Sequence, residues 1–466
     1  MKTSIVVVTN NQLPFTRLCL ESIGAYTLEP YELIVVDNGS NDGTREFLAA
    51  EAEAALAGGG GFPPEVKVIL NDLNEGYPKA CNQGLRAATG EAVVLLNNDM
   101  VVTPRWLTNL LNCLEATGAG AVGPASNMIS GLQRVDAAYD SLESMERFAE
   151  TFNRPDETKW RPTVRLGGGG LLLRREVLGR VGYFDESFTP GNFEDDDFSL
   201  RVVQAGFGLR IAGDTFIHHF GGVTLGRGQA YAEVLGRNAK YFCGKWATDD
   251  ATVAYLRQPI ADAVPAGARQ VLDLRCGAGA LGLELKRRGV GRVCGIEAGP
   301  ALASVAARSL DQVAVGDPAA VSLPYVPESF DVVVADGVFE RAADPWRLLA
   351  RVDGWLATDG VLVATVSNVA HLSTIAGLLQ GTWRYSSPLP RRGHLRFFTK
   401  KTFVETLTEA GFEAVGVSET LGDLDDRAEV LLLALDELSR RHGLSGGNVA
   451  RQGRVLSFMV TARKKQ

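Results

Sequence analysis

Residues 91–100 read EAVVLLNNDM. Val93, Val94, Leu95 and Leu96 form an unbroken apolar run, the pattern of a strand buried on both faces of a parallel sheet. The run ends in two amides and a carboxylate, Asn97, Asn98 and Asp99. A strand buried on both sides that ends in polar groups delivers them to its C-terminal edge. In open α/β sheets, that edge is where ligands bind. This stretch therefore predicts both an α/β fold and the place of its site.

Outward from it, the first half alternates strand and helix patterns. Apolar runs at 3–9 (TSIVVVT), 31–36, 66–70, 91–96 and 120–123 predict strands. Helical periodicity lies between them at 14–25, 43–55, 77–89 and 104–117, with Pro14 and Pro104 at helix starts. The alternation predicts a parallel sheet covered by helices. AGGGGFPP at 57–64 reads as a flexible loop and not a phosphate cradle, because no Gly-Lys-Ser follows it.

A second alternation begins near residue 268. ARQVLDLRCGAGALGLELKRRG (268–289) reads as strand, Gly-rich turn and helix; RVCGIEAG (292–299) as a strand ending in an acid; 330–335 and 360–366 as further strands. Segment 246–262 carries no sheet pattern and is expected to join two domains, 1–245 and 263–466. The tail ARKKQ is expected to fray.

The chain has 466 residues, 45% hydrophobic and 22% charged, which suits a globular protein of two or three domains. The net charge of −8 sits in the first half, with 22 basic and 30 acidic residues in 1–246 against 25 of each in 247–466. That balance excludes a general nucleic-acid binder. Six scattered cysteines without a C-x-x-C pair fit reduced core residues in a cytoplasmic protein. No apolar run reaches membrane-spanning length, and the start lacks a secretory pattern.

SIVVVTNNQ, IVVDNGSNDGT, NEGYPKACNQGLRAATGEAVVLLNNDMVVTPRW and NFEDDDFSLRVVQAGF occur in the order of the landmarks of family 2 glycosyltransferases with the GT-A fold. The first half resembles that family over about 1–245. The resemblance implies a nucleotide-sugar donor, UDP- or dTDP-linked, and a divalent cation, Mg²⁺ or Mn²⁺, on the carboxylate of a D-x-D motif. Here that motif reads Asn97-Asn98-Asp99, so Asp99 is the expected ligand, and Asn97 is expected to meet the ribose or a water. A carboxylate at a strand end suits such a hard cation.

The resemblance also implies that Asp37 reads the nucleobase or ribose; an Asx turn before Gly39 is its structural alternative. Thr9, Asn10, Asn82 and Asn98 are expected to line the same pocket. In FEDDDF, four consecutive acids at a helix start are costly unless a cation, the helix N-terminus or a reaction uses them. The family's Glu-Asp pair falls on Glu194-Asp195, with Asp195 as general base; a shift of one residue would move that role to Asp196. Asp197 is expected to be structural. Of the two histidines in FIHHFGG, His218 matches the family's metal or diphosphate contact better than His219. RLGGGGLLLRRE (165–176) resembles the family's small-residue strand beneath the acceptor. The acceptor class implied is a hydroxyl of a glycan, a lipid-linked glycan or a protein, which attacks the donor's anomeric carbon in line, with inversion.

VLDLRCGAG, VCGIEAG, VAVGD, DGVLVATVSNVAHL and HLRFFTKKTFVETLTEAGFE resemble the class I SAM-dependent methyltransferases over about 268–420. The implied cofactor residues are Asp273, Gly277, Gly279, Glu297 and Asp317. Two positions depart from the pattern. Arg275 stands where glycine admits the cofactor's methionyl part, and Arg341 stands where close relatives carry His. The expectation is therefore a degenerate domain that supports the glycosyltransferase or binds its acceptor, with a two-activity enzyme and a non-catalytic binding scaffold as alternatives. The basic run Arg391, Arg392, His394, Arg396, Lys400 and Lys401 could suit an anionic acceptor, or simply be a solvated surface.

Overall fold

The computed structural model describes residues 1–466 except 58, 60–62, 64, 223–227, 324, 386–392, 444–448 and 466. It divides into two compact units, Met1–Leu256 and Arg257–Gln466. Most of the 57–64 loop, and Arg391 and Arg392 of the basic run, lie outside the described residues.

The first unit contains β1 (Thr3–Thr9), β2 (Tyr31–Asn38), β3 (Val66–Asn71), β4 (Ala92–Asn97), β5 (Met100–Val101), β6 (Ala121–Ala125), β7 (Trp160–Thr163), β8 (Leu171–Arg174), β9 (Leu209–Phe216) and β10 (His218–His219). Eight of them form one sheet in the order β3-β2-β1-β4-β8-β6-β9-β7, while β10 and β5 pair separately. β1 lies between β2 and β4 and runs parallel to both. The strand order therefore reverses beside β1, and a crevice opens at the C-terminal ends of the strands. The register aligns Thr9 with Asp37 and Val8 with Asn97, so three of the quoted polar positions reach one edge. Ile5, Val7, Val35, Val94 and Leu96 are buried together with Trp106, Leu107 and Leu110 of the helix Trp106–Thr117. Full burial of side chains of this size contributes about 1.5–3 kcal/mol each, which holds the strand ends in place.

The second unit contains β11 (Gln270–Asp273), β12 (Arg292–Glu297), β13 (Gln312–Val315), β14 (Phe330–Asp336), β15 (Leu356–Ser367), β16 (Phe412–Leu421) and β17 (Val455–Lys464). Their order is β13-β12-β11-β14-β15-β17-β16, with β17 antiparallel to both neighbours. Ala462, Arg463 and Lys464 of the tail expected to fray are instead the end of β17. Ala462 pairs with Leu362 and Ala414, and Arg463 pairs with Val361. Alternating burial of Phe458, Val460 and Ala462 outweighs the charge of the last residues.

Segment 246–262 is not a passive tether. Trp246 is buried and donates its indole N–H to Asp197 Oδ1 at 3.1 Å. Tyr255 packs against Arg165, and Gln258–Ala263 is a helix of the second unit. The division falls within the segment, after Leu256.

Candidate functional site

At the C-terminal edge of the first sheet lies a cavity of about 660 Å³, walled by Asn10, Asn38 and Asn74, by Asn97, Asn98 and Asp99, by Gly167–Gly169 and by Glu194, Asp195 and Asp196. Its size is that of a small-ligand site.

The turn after β4 is fixed by Asn98, whose amide donates to Thr9 Oγ1 at 3.1 Å and to Thr16 Oγ1 at 3.0 Å. Thr9 is thus a buried anchor of the turn and not part of the cavity wall. Asn97 Oδ1 accepts from the Tyr77 hydroxyl at 2.7 Å. Asp99 does not cap the following helix. Its Oδ1 lies 3.1 Å from His219 Nε2, and its backbone oxygen accepts from Phe220 N.

The histidine beside Asp99 is therefore His219, which corrects the expectation for His218. β10 pairs antiparallel with β5, His219 opposite Met100 and His218 opposite Val101, and successive side chains of a strand point to opposite faces. His218 turns away, with Nδ1 2.5 Å from the Tyr139 hydroxyl, and burial pushes its pKa down to about 4. His219 is opposed by burial, but the hydrogen bond and charge of Asp99 outweigh it and its pKa is raised.

Asp37 Oδ2 accepts from Ser40 N at 3.3 Å in the Asx-turn manner, while its Oδ1 is buried without a hydrogen-bond partner among the described residues. Asn10 donates to Asn38 O at 2.8 Å, and Asn74 donates to Asn10 Oδ1 at 3.1 Å, so amides of three elements meet beside Asp37. Asn82 is elsewhere. It donates to Phe184 O and Glu186 Oε1 and accepts from Phe184 N, bracketing the helix Tyr77–Ala87 to a loop about a hundred residues further on. The expectation that Asn82 lines the pocket is corrected on that ground.

The acids open the helix Glu194–Gln204, after Asn192 and Phe193 with φ of 78° and 72°. Left-handed backbone at two consecutive non-glycine residues is strained. It turns the first helical residues to the cavity. Glu194 is buried, and burial followed by the charge of Asp195 pushes its carboxyl well above the usual range; its Oε2 has no partner among the described residues. Asp195 Oδ2 accepts from Gly168 N at 2.9 Å. Asp196 is paired with the Arg165 guanidinium through Nε, and burial and the charge of Asp195 still raise it to about 7. Asp197 is fully buried against Arg201 and Lys245, both at 2.8 Å.

Sequence reasoning missed Arg165, Tyr77, Tyr255 and the role of His219. A lone arginine ahead of four glycines was the available signal for Arg165.

In the second unit, Asp273 Oδ1 accepts from Arg275 N at 3.1 Å, and burial raises Asp273 to about 7. The two oxygens of Glu297 accept from Gly277 N and Gly299 N, each at 2.9 Å. Gly279 has φ of 87° and begins the next helix; an added Cβ there would lie 2.7 Å from Leu310. Asp317 is exposed and accepts from Ala319 N. The Gly-rich turn is thus built, with a half-buried arginine at its first position whose main-chain N–H donates to Asp273. Of the described residues in the basic run, Arg396 donates to Ala343 O, Lys400 pairs with Glu419 at 2.7 Å and Lys401 with Glu405 at 3.8 Å. They are engaged within the unit.

The strand ends of the first unit's mixed sheet thus converge on one cavity walled by amides and carboxylates, the usual place of a ligand site in an open α/β sheet. The description "Glycosyl transferase family 2" matches residues 4–182, and "Methyltransferase domain" matches residues 247–417. The chain is 30% identical over 206 residues to an uncharacterized glycosyltransferase, YwdF, of Bacillus subtilis (strain 168), spanning 44% of this chain and 69% of that one. It is 26% identical over 250 residues to the glycosyltransferase AglE of Haloferax volcanii, spanning 50% and 75%. A solved structure of GalNAc-T7 with UDP, GalNAc and Mn²⁺ superposes with a TM-score of 0.40 at 18% identity over 57% of this chain and 52% of that one. The chain belongs to glycosyl transferase family 2, and its two α/β units resemble the GT-A and class I methyltransferase folds. Among the described residues, no helix is long and apolar enough to cross a membrane.

Proposed function

We propose that the first unit moves a sugar from a nucleotide-sugar, UDP- or dTDP-linked, to a hydroxyl of a glycan, a lipid-linked glycan or a protein, with inversion and with help from Mg²⁺ or Mn²⁺. The observation that carries this reading is that the Asp99–His219 pair and the Asp195 carboxylate face one cavity of about 660 Å³. The pair fits such a cation. One carboxylate and one imidazole supply two donors, as expected of an ion whose other ligands are water and substrate phosphate. Among the described residues, no group of three or more His, Cys, Asp or Glu would hold an ion alone. When bound, the cation would neutralise charge on the departing nucleoside diphosphate.

The chain's own groups divide the remaining work. Asp37 and the amides of Asn10, Asn38 and Asn74 hold the nucleoside. Asp195, held through Oδ2 by Gly168 N–H, takes the acceptor proton as the hydroxyl oxygen attacks the anomeric carbon and the bond to the diphosphate breaks. Gly167–Gly169 leave room for the acceptor, since side chains there would fill the wall. Holding donor and acceptor together supplies much of the rate.

For the second unit, the methyltransferase match favours a two-activity enzyme, and the arginine in the turn supports a degenerate domain. The deciding experiment incubates the full chain with Mn²⁺ and a panel of UDP-, dTDP- and GDP-sugars and measures nucleoside diphosphate release. Turnover of one donor supports the reading. No release from any donor, with no donor binding, rejects it in favour of a binding scaffold.

A further inference from the structure

Resting on the reading that Asp195 is the base, we propose that Arg165 is a positioning residue that selects Asp195 from three adjacent carboxyls. The guanidinium touches two of them. Its Nε pairs with Asp196, and its Nη2 stands 3.7 Å from Asp195 Oδ2. It is buried and held from outside the acidic run. Ser130 accepts from Nη1 through its carbonyl at 3.1 Å and from Nη2 through its hydroxyl at 2.8 Å. The Tyr255 ring lies under the guanidinium at 4.2 Å.

A planar fork fixed on three sides imposes geometry as well as charge. Asp196 is consumed by the pair. Asp195 keeps only the longer contact, and its Oδ2 also accepts from Gly168 N. Glu194 Oε2 has no hydrogen-bond partner among the described residues, and burial followed by the charge of Asp195 raises its pKa. The three carboxyls are therefore made unequal: Glu194 buried with an unpartnered oxygen, Asp196 buried and paired, and Asp195 the most exposed of the three. Like charges at such spacing cannot all ionise without a nearby cation.

The groups that face Asp195 are Glu194 and Asp196 on its own helix, with Asp197 behind them, Arg165 from the stretch before the glycines, Tyr77 from Tyr77–Ala87, and Tyr255. Arg165 is the cation in contact with both Asp195 and Asp196. Without it, the three carboxyls would bind a proton at higher pH as a set. Proton transfer itself is unchanged in kind: the acceptor O–H proton passes to Asp195 as the new bond to the anomeric carbon forms and the diphosphate leaves.

The test uses the full chain with Mn²⁺ and whichever of UDP-glucose, UDP-N-acetylglucosamine, dTDP-rhamnose and GDP-mannose turns over fastest. Nucleoside diphosphate release is followed across pH. In parallel, the carboxyl carbons of ¹³C-aspartate-labelled protein are titrated by NMR. For Arg165→Met, the acid limb of kcat/KM and the NMR step of the cluster should both move up by roughly one to three units, the usual effect of a neighbouring charge. kcat should fall while the donor KM holds. Arg165→Lys should restore the limb but only part of kcat, because an ammonium lacks the fork.

An acid limb and NMR step that stay in place in Arg165→Met would overturn the proposal. If that variant does not fold, Ser130→Ala with Tyr255→Leu loosens the same guanidinium and should shift both readouts less, in the same direction; no shift overturns it equally. Asp195→Asn separates the two readings. If it stays active, the base assignment fails while NMR still judges Arg165. If it is inactive and Arg165→Met titrates as wild type, only the positioning role fails.

Discussion

His219 Nε2 lies 3.1 Å from Asp99 Oδ1, joining two segments 120 residues apart in sequence. The contact exists because β10 pairs with β5 directly after the Asn97-Asn98-Asp99 turn. Phe220 N donating to Asp99 O locks the same crossing from the backbone.

That geometry predicts the metal dependence. Asp99→Asn should abolish divalent-dependent release of nucleoside diphosphate, and His219→Ala should weaken Mn²⁺ affinity by at least the roughly 10–100-fold typical of losing a group that only supports a metal ligand. His218→Ala should leave the Mn²⁺ requirement intact and instead lower the melting temperature, since His218 packs against the Tyr139 and Phe220 rings. Mn²⁺ titrations of turnover in the three variants check this. Loss of the Mn²⁺ requirement in His218→Ala alone would reverse the assignment.

The acids at 194–196 should separate by variant. Asp195→Asn should lower transfer by roughly a hundredfold or more, the usual contribution of a general base, with donor affinity little changed. Asp196→Asn leaves the Arg165 guanidinium buried beside an amide and should cost stability as well as rate. Rates at saturating donor, read beside thermal melts, distinguish the two. An Asp195→Asn enzyme with normal kcat would place the base elsewhere.

These assignments were legible in the sequence to different depths. The strand ends were plain, because the parallel part of the sheet, β3-β2-β1-β4, writes itself as apolar runs and only its edge tolerates Asp37 or Asn97-Asn98-Asp99. Asp197 was set apart only by aligning the acids on the family's Glu-Asp pair, since Glu194 and Asp196 are buried as well. The choice between His218 and His219 was not legible, because the face of a two-residue strand is set by its partner strand. Asn82 was misread for a similar reason: its partners Phe184 and Glu186 lie on a loop no local pattern connects to it. Arg165 was hidden by the assumption that glycines were the message of their stretch. The tail's charges concealed a period of two in VLSFMVTA that a strand reading would have found.

Glu32 gives a stability prediction independent of the site. Burial alone would raise its pKa, but Ser4 Oγ at 2.5 Å, Thr89 N at 2.6 Å and Lys67 Nζ at 2.9 Å overcome this and hold it at about 2, against 4.5 ordinarily. A depressed carboxyl stabilises the fold above its unfolded pKa and loses that contribution as pH falls through its folded one. Glu32→Gln should therefore cost on the order of 2–3 kcal/mol near neutral pH, and progressively less as pH falls from about 4.5 towards about 2. Urea melts of both proteins across that window measure the difference. A gap that does not narrow on acidification would mean the ionised form is not what the three donors hold.

The second unit sets two features against each other. Glu297 lies at the end of β12 and could still meet a ribose, but its oxygens already accept Gly277 N–H and Gly299 N–H. Arg275 occupies the turn position from which a glycine would admit the methionyl part of SAM. One or two ribose hydrogen bonds contribute about 0.5–1.5 kcal/mol each, too little to offset a large side chain at a position where the pattern has glycine. Calorimetry on the full chain should therefore detect no tight SAM binding, and sugar transfer should be indifferent to added SAM. Arg275→Gly tests the cause directly. It removes the side chain at a turn where Gly277 and Gly279 already take φ of 53° and 87°, so the backbone should accept it, and SAM affinity should appear or rise at least tenfold. Micromolar SAM binding by the unaltered chain would instead mean that Arg275 swings aside on binding, and methyl transfer to the glycosylated product would make both units catalytic.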